Sequence, residues 1–389
     1  MNTAHVSVDI FCAVVDNYGD AGGAWRLALA MRRWFGGRFR LFIDDRALLN
    51  RIAPPALQSG EAIERIDQTD PLAFAQALHE EPARLIIETY GCGIPQPYLD
   101  RHAQQSLLII NVEHLGLQPW IEEWHRRPEL CAQTTITKFW YMPGFTPHSG
   151  GVLLSKPPTV HDTGARHRRL SHLLAALGIQ NQPDEHTLSV ALFGYERDYS
   201  PLLQALAHSG QQVLVLVLGE KAQASIEASC WRESERVAVQ MVPFMPQQDF
   251  DALIASVELA LVRGENSLLS ALEGGTPFIW QLYAEPNDYH LVKLQAFMQT
   301  LDQYLDNQDF SRSYAELSAA LNRAEPGAPT HLQYEHFINH RHCLGDALRR
   351  MHTALWQSAN LSQSLFSFLT TSLEEHSTHG TRSSTITHR

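Results

Sequence analysis

The sequence predicts an α/β fold built from two Rossmann-like domains that face one another across a cleft. Three observations predict it. The chain has 389 residues, more than one hydrophobic core usually organises, so two domains are expected. Apolar strand-like runs alternate with amphipathic stretches, the pattern of a parallel sheet covered on both faces. That alternation runs through the first part of the chain, breaks, and restarts.

The elements follow in order. Val6–Val15 is apolar enough for a strand buried on both faces. Ala24–Trp34 reads as a helix through Leu27, Leu29, Met31 and Trp34. Arg40–Ile43, Leu85–Thr89 and Leu107–Val112 are further strands. Between Gly150 and Glu185 the rhythm breaks at Pro157, Pro158, Pro183 and the polar run His161–Arg169, with one helix expected around Leu170–Leu177. It resumes with strands at Leu188–Phe193, Val213–Leu218, Val237–Val242, Leu259–Val262 and Phe278–Leu282. Helices are expected at Pro201–His208, Gln248–Ser256, Asn266–Leu272 and His290–Leu301. Beyond Leu301 the chain reads as helical, with Tyr334–Leu369 as one or two long helices. The expected division is a first domain over 1–165, a crossover linker over 166–185 and a second domain over 186–345. A helical segment over 346–376 packs back on the first domain. The Ser- and Thr-rich tail over 377–389 is expected to be disordered.

Composition narrows the function. Hydrophobic residues make up 44% and charged residues 19%, ordinary for a globular enzyme. A formal net charge of -12 argues against nucleic acid as a partner, because a phosphate backbone needs a basic surface. No apolar run approaches the roughly 18 residues that span a bilayer, so no membrane association is expected, and no signal peptide is recognised. The five cysteines, Cys12, Cys92, Cys131, Cys230 and Cys343, are scattered without a C-x-x-C pair. This suits reduced thiols in a cytoplasmic protein. The 20 histidines form no H-E-x-x-H, and no metal site is expected.

Two constellations carry chemistry. The first strand runs into Asp16-Asn17-Tyr18-Gly19-Asp20-Ala21-Gly22-Gly23 ahead of a helix. Ligands of such folds bind at the carboxyl ends of the strands. Asp20 can serve there as a helix cap or, with Asp16, as acid–base chemistry. A dinucleotide fingerprint is disfavoured because the glycines fall at 19, 22 and 23, not in G-x-G-x-x-G spacing, and the acids would repel a pyrophosphate.

The second constellation lies on successive strand ends of the second domain. It comprises Phe193-Gly194-Tyr195, the stretch Val242 to Phe250 with Phe244 and Gln247, and Arg263-Gly264-Glu265-Asn266-Ser267. Aromatic rings there can stack a base, worth about 1–3 kcal/mol. Helix-start amides, Arg263 and Ser267 suit phosphate oxygens. Core packing for the aromatics and a dipole role for Glu265 are the plainer alternatives at each position.

Together these segments resemble the arginine rhamnosyltransferases that mature bacterial elongation factor P. The resemblance is carried by Asp9-Ile10-Phe11-Cys12, Asp16-Asn17-Tyr18-Gly19-Asp20, Trp25-Arg26-Leu27-Ala28, Ile87-Glu88-Thr89 and Phe139-Trp140-Tyr141-Met142-Pro143-Gly144-Phe145. It continues in Ser149-Gly150-Gly151, Leu192-Phe193-Gly194-Tyr195, Pro246-Gln247-Gln248-Asp249-Phe250 and Arg263-Gly264-Glu265. It implies a GT-B fold and an inverting, metal-independent transfer from dTDP-β-L-rhamnose to an arginine of elongation factor P, with no cofactor. It assigns Asp20 as general base and Asp16 as its partner near the acceptor. Tyr195, Phe244, Gln247 and Phe250 become the thymidine pocket. Arg263, Glu265 and Ser267 become ribose and diphosphate contacts, with Asn17 and Asn266 in the donor set. Asn266 stands where the family usually has Asp, and Ala21-Gly22-Gly23 replaces the family's usual Ile-Gly-Val.

The chemistry fits arginine. A guanidinium stays protonated at neutral pH and offers no free lone pair, so carboxylates must orient it and take a proton as the new bond forms. A sugar-nucleotide epimerase of similar architecture and a nucleotide-sugar-binding adaptor without catalysis are the alternatives. Intact Asp16 and Asp20 argue against the adaptor.

Overall fold

The computed structural model describes residues 6–16, 18–55, 63–102, 105–106, 108–130, 136–157, 162–229, 231, 234–323 and 327–382. The chain forms two units: Met1–Leu154 with Gln357–Arg389, and Ser155–Trp356.

In the first unit, β1 (Val8–Cys12) is followed by α1 (Tyr18–Arg32), β2 (Phe39–Ile43), α2 (Arg46–Ile52), β3 (Ile63–Asp67) and α3 (Pro71–His79). Then come β4 (Leu85–Thr89), α4 (Gln96–His102), β5 (Leu108–Val112), α5 (Trp120–Trp124), β6 (Pro128–Leu130) and β7 (Thr137–Tyr141). The sheet order is β3-β2-β1-β4-β5-β7-β6. Every neighbouring pair is parallel except β6 with β7. β1, β2, β4 and β5 are buried along their whole length, as strands covered on both faces must be. One face packs Val8, Ile10 and Cys12 against Leu27 and Met31 of α1. The other packs Phe11 on Phe42 and Tyr98, with ring centroids 4.6 and 4.7 Å apart.

β1 also buries a charge. Asp9 Oδ1 accepts from Arg40 Nε at 2.8 Å, and Oδ2 accepts from Tyr98 Oη at 2.5 Å. A lone buried carboxylate would be prohibitive, and the paired, hydrogen-bonded one is tolerated.

The second unit holds α6 (Thr163–Ala176), β8 (Thr187–Leu192), α7 (Ser200–Ala207), β9 (Gln212–Leu218), α8 (Glu220–Ala228), β10 (Val237–Val242) and α9 (Gln247–Ile254). It continues with β11 (Leu259–Arg263), α10 (Gly264–Gly274), β12 (Phe278–Gln281), α11 (Tyr289–Asp302), α12 (Gln308–Asn322), α13 (His331–Asn339) and most of α14 (Arg341–Ser358). Its sheet is parallel throughout, in the order β10-β9-β8-β11-β12. α10 ends at Gly275, whose φ of 59° is the left-handed helix stop that glycine adopts without strain.

After α14 the chain rejoins the first unit. Asn360 anchors the return: its Nδ2 donates to Leu154 O at 3.0 Å, while Oδ1 accepts from Gln363 N at 3.1 Å. α15 (Leu361–Arg382) then lays Leu361, Leu365 and Leu369 into the first unit's core.

Several expected boundaries move. The strand expected over Val6–Val15 is only Val8–Cys12, and the helix expected from Ala24 begins at Tyr18. Gly19, Gly22 and Gly23 therefore lie inside α1, not in a turn ahead of it; Gly22 and Gly23 are buried there. The unit boundary falls at Leu154, not 165, and 166–185 is not a free linker because α6 occupies Thr163–Ala176. Buried Leu170 and Leu174, spaced four apart, explain why that stretch is ordered. Tyr334–Leu369 is three helices, broken at His340 and Ala359. The return to the first unit begins at Gln357, not 346. The tail expected to be disordered from 377 continues α15 as far as Arg382; residues 383–389 lie outside the described residues.

His125 links the fold to pH. It follows α5, its Nδ1 accepts from Met142 N at 3.3 Å, and its ring meets Tyr141 edge-on at 4.6 Å. Burial, with Arg126 nearby, pushes the imidazole down to about 4. The unfolded chain binds this proton near pH 6.5 and the folded chain does not. The contribution is therefore full above pH 6.5 and lost as pH falls toward 4, by about 1–2 kcal/mol once solvent screening of this half-buried ring is allowed for. Urea unfolding from pH 7 to pH 4 should show this loss, and His125→Gln, which keeps an acceptor without titrating there, should flatten it. Parallel profiles for the two proteins would refute the assignment.

Candidate active site

Both sheets reverse their strand order between the first strand of the unit and the fourth. In the first unit the reversal separates β1 from β4, and in the second β8 from β11. Open parallel sheets bind ligands in the crevice outside the carboxyl ends of these strands.

In the first unit, the chain leaving β1 carries the acids. Asp20 sits in the first turn of α1 and is 4% exposed. Its Oδ2 accepts two backbone N–H groups, from Val15 at 2.9 Å and Asp16 at 2.8 Å. The carboxylate therefore folds the preceding loop back over the helix start, satisfying donors outside the helix, where an N-cap satisfies those inside it. Asp16 is exposed, and its carbonyl accepts from Gly19 N at 2.7 Å. A Cβ on Gly19 would stand 3.0 Å from Asp16 Oδ2, so glycine keeps the two acids in one tight turn. Asn17, expected among the donor contacts, lies outside the described residues. Asp44, after β2, braces the same loop by accepting from Val14 N at 2.9 Å.

Across the reversal, the chain leaving β4 bends sharply. Tyr90 has a φ of 59°, a left-handed conformation costing a residue with a side chain about 1–3 kcal/mol. The surroundings impose it: Tyr90 N donates to Val112 O at 2.8 Å, and Gly91 N to Asn111 Oδ1 at 3.0 Å. The Tyr90 ring stacks on His114 with centroids 4.1 Å apart and planes within 7°. Beneath it, Glu88 is buried, accepts from Gly93 N at 2.7 Å and pairs with Lys138 at 2.6 Å. Cys12 and Cys92 flank this floor; burial pushes both thiols up to about 12, leaving them protonated and unreactive.

In the second unit, the chain leaving β8 supplies Tyr195 and the chain leaving β11 supplies Arg263. The Arg263 guanidinium lies over the Phe193 ring at 4.5 Å and the Tyr195 ring at 4.8 Å, and Nη1 donates to Gly194 O at 3.3 Å. Phe250 meets Phe193 edge-on at 4.9 Å. Tyr195, Phe193, Phe250 and Arg263 thus form one continuous aromatic–cationic surface. Phe244 is 47% exposed. Gln247 opens α9, and its Oε1 is buried without a hydrogen-bond partner, a cost normally met by a ligand or solvent donor. Gly264 leads into α10 with a φ of 66°, and its carbonyl accepts from Trp280 Nε1 at 2.9 Å. Glu265 pairs with Lys293 at 2.7 Å, and Asn266 is half-buried. Ser267 is buried; its hydroxyl accepts from Arg263 N at 3.1 Å and donates to Arg263 O. It shapes the Arg263 turn from inside.

Sequence reasoning missed several neighbours. Gln281, the last residue of β12, holds the Tyr195 backbone through Oε1 at 2.8 Å and receives Tyr199 Oη at 3.1 Å. Lys221 Nζ stands 5.4 Å from the Tyr195 ring, and Tyr283 meets that ring edge-on at 5.8 Å. Tyr90 and His114 were missed as well. The strand-end rule that singled out Tyr195 would also have pointed to Tyr90, His114 and Tyr283. Among the described residues, no group of three or more His, Cys, Asp or Glu could hold a metal ion. No helix there is long and apolar enough to cross a membrane.

Two successive parallel α/β units, with acids on one switch point and an aromatic–arginine surface on the other, define the class of GT-B glycosyltransferases. The family model described as the elongation-factor P (EF-P) rhamnosyltransferase EarP matches residues 8–370, and the chain belongs to this family. It is 32% identical to the protein-arginine rhamnosyltransferase of Pseudomonas aeruginosa over 75% of this chain and 81% of that protein. It is 30% identical to the protein-arginine rhamnosyltransferase of Shewanella oneidensis over 84% of this chain and 88% of that protein. Among solved structures it resembles an EarP described with EarP-mediated arginine glycosylation of EF-P. That match has a TM-score of 0.54 and 22% identity, over 94% of this chain and 99% of that one. As a member of this family the chain is a glycosyltransferase acting from a nucleotide-sugar donor.

Proposed function

We propose that this chain transfers L-rhamnose from dTDP-β-L-rhamnose to an arginine side chain of elongation factor P, by inverting displacement and without a metal or other cofactor. The observation that carries the reading is the buried Asp20 carboxylate at the β1 switch point of a chain from the EF-P rhamnosyltransferase family. An acceptor that is a translation factor implies a cytoplasmic reaction. Family membership favours transfer over the epimerase and adaptor alternatives.

The residues divide the work. A guanidinium nitrogen attacks the anomeric carbon, the bond to the diphosphate oxygen breaks, and dTDP leaves. The nitrogen must shed a proton, and Asp20 takes it. Oδ2 already accepts two backbone N–H groups, so Oδ1 is the oxygen assigned to the acceptor. Asp16 orients the planar guanidinium fork. On the donor side, Phe250 and Tyr195 hold the thymine, with Phe244 at the exposed rim and Gln247 Oε1 waiting for the base N–H. Arg263 and the amides opening α10 stabilise charge on the departing diphosphate, with Glu265 on the ribose. Asn266 keeps the backbone N–H that the family's usual Asp would present, and Asn17 joins the donor contacts.

Mass spectrometry of elongation factor P incubated with this protein and dTDP-β-L-rhamnose should show one added deoxyhexose on one arginine. The same gain is expected in EDTA; activity lost in EDTA and restored by magnesium or manganese would overturn the metal-free reading. Asp20→Asn should keep donor affinity while lowering transfer by about 10²–10⁴-fold. Because Asn also accepts backbone N–H groups, a variant that melts normally and transfers at the wild-type rate would remove Asp20 as base. Phe250→Ala should weaken dTDP binding, read by calorimetry, by about 1–3 kcal/mol; unchanged affinity in the folded variant would take Phe250 out of the base pocket.

A further inference from the structure

The two units use the same strand reversal. In the second unit, Tyr195 after β8 and Arg263 at the end of β11 lie on the two lips of the reversal, with the guanidinium 4.8 Å from the ring. In the first unit, the corresponding lips carry the Asp16–Asp20 turn after β1 and Tyr90 after β4. Tyr90 is held in a left-handed conformation by its own amide on Val112 O and by the next amide, Gly91 N, on the Asn111 side chain. Its ring is kept parallel to the exposed His114, which follows β5, the next strand of the sheet. The strand that leads to Tyr90 is also tied to β1, through the Thr89 hydroxyl donating to Phe11 O at 2.8 Å. Strained backbone of this kind persists where the surroundings over-determine it, and it clusters at ligand sites.

We infer that the Tyr90–His114 stack is the acceptor-side platform of this enzyme: the arginine guanidinium lies flat against the paired rings while its N–H fork reaches Asp16 and Asp20. Guanidinium groups are planar, weakly hydrated and stack on aromatic faces. A carboxylate pair alone would hold lysine as well as arginine; a flat aromatic wall favours the planar group. The inference rests on the placement of Asp20 as base, and the test separates the two.

The experiment measures steady-state transfer to elongation factor P and, by calorimetry, binding of elongation factor P and of its variant with the acceptor arginine replaced by alanine. Tyr90→Asn tolerates the left-handed backbone but removes the ring; His114→Ala removes the exposed half of the stack. Each should raise the acceptor KM by roughly 3- to 30-fold, with the KM for dTDP-β-L-rhamnose unmoved and the melting temperature retained. Tyr90→Phe, which keeps both rings, should restore the acceptor KM. The His114→Ala loss should appear with the arginine acceptor and vanish with the alanine one. An unchanged acceptor KM in both ring-removing variants, or an equal loss for both acceptors, overturns the platform. Asp20→Asn, assayed alongside, reports on the base independently: wild-type transfer in that variant would sink the base and leave the acceptor KM of the stack variants to be read by itself.

Discussion

Sealing a parallel sheet on both faces is the constraint from which the rest of this protein follows. β1, β2, β4 and β5 are buried along their whole length, and β8 and β9 are buried except at their first residues. Polar groups on the faces of such strands must be paired where they stand, as Glu88 is with Lys138. The one charge β1 does carry, Asp9, is absorbed by Arg40 and Tyr98. Functional groups are therefore displaced to the strand ends, and the strand reversal determines which ends border a crevice.

Asp20 organises the loop that leaves β1. Its Oδ2 binds the Val15 and Asp16 amides, and those bonds define the loop that presents Asp16. A carboxylate at that point both closes the entry to α1 and stands at the switch point. The same bonds that order the turn leave Oδ1 as the second oxygen, and a Cβ at Gly19 would stand 3.0 Å from Asp16 Oδ2, so the Asp16 side chain would have to shift to admit it.

The second unit is organised by a cation. Arg263 bridges the rings of Phe193 and Tyr195, and Ser267 holds its backbone turn. Gln281 fixes the Tyr195 amide from β12, two strands away from β8, and a Cβ on Gly194 would collide with Tyr199 Oη at 2.0 Å. A surface so braced is preorganised, with little of it left to order.

What the sequence determined by itself was the alternation of elements and the identity of the strand-end residues. β4 over Leu85–Thr89 and β10 over Val237–Val242 were legible to the residue: β4 is buried along its whole length, and the edge strand β10, though only partly buried, is still mostly apolar. The acids at 16 and 20 and the Arg263 turn were legible because strand ends are where such folds bind ligands. Short or partly polar elements were not: α2 and β3 carry too few apolar positions for periodicity to speak. α1 was read as starting late because its glycines resemble a turn, and only packing showed them buried in a helix. Tertiary structure alone decided that Asp20 grips two amides, that Ser267 turns back onto Arg263, that Gln281 reaches Tyr195, and that Tyr90 stacks on His114. Each of these joins residues through side-chain direction and strand order, which follow from how the sheets close and not from the spacing of residues along the chain.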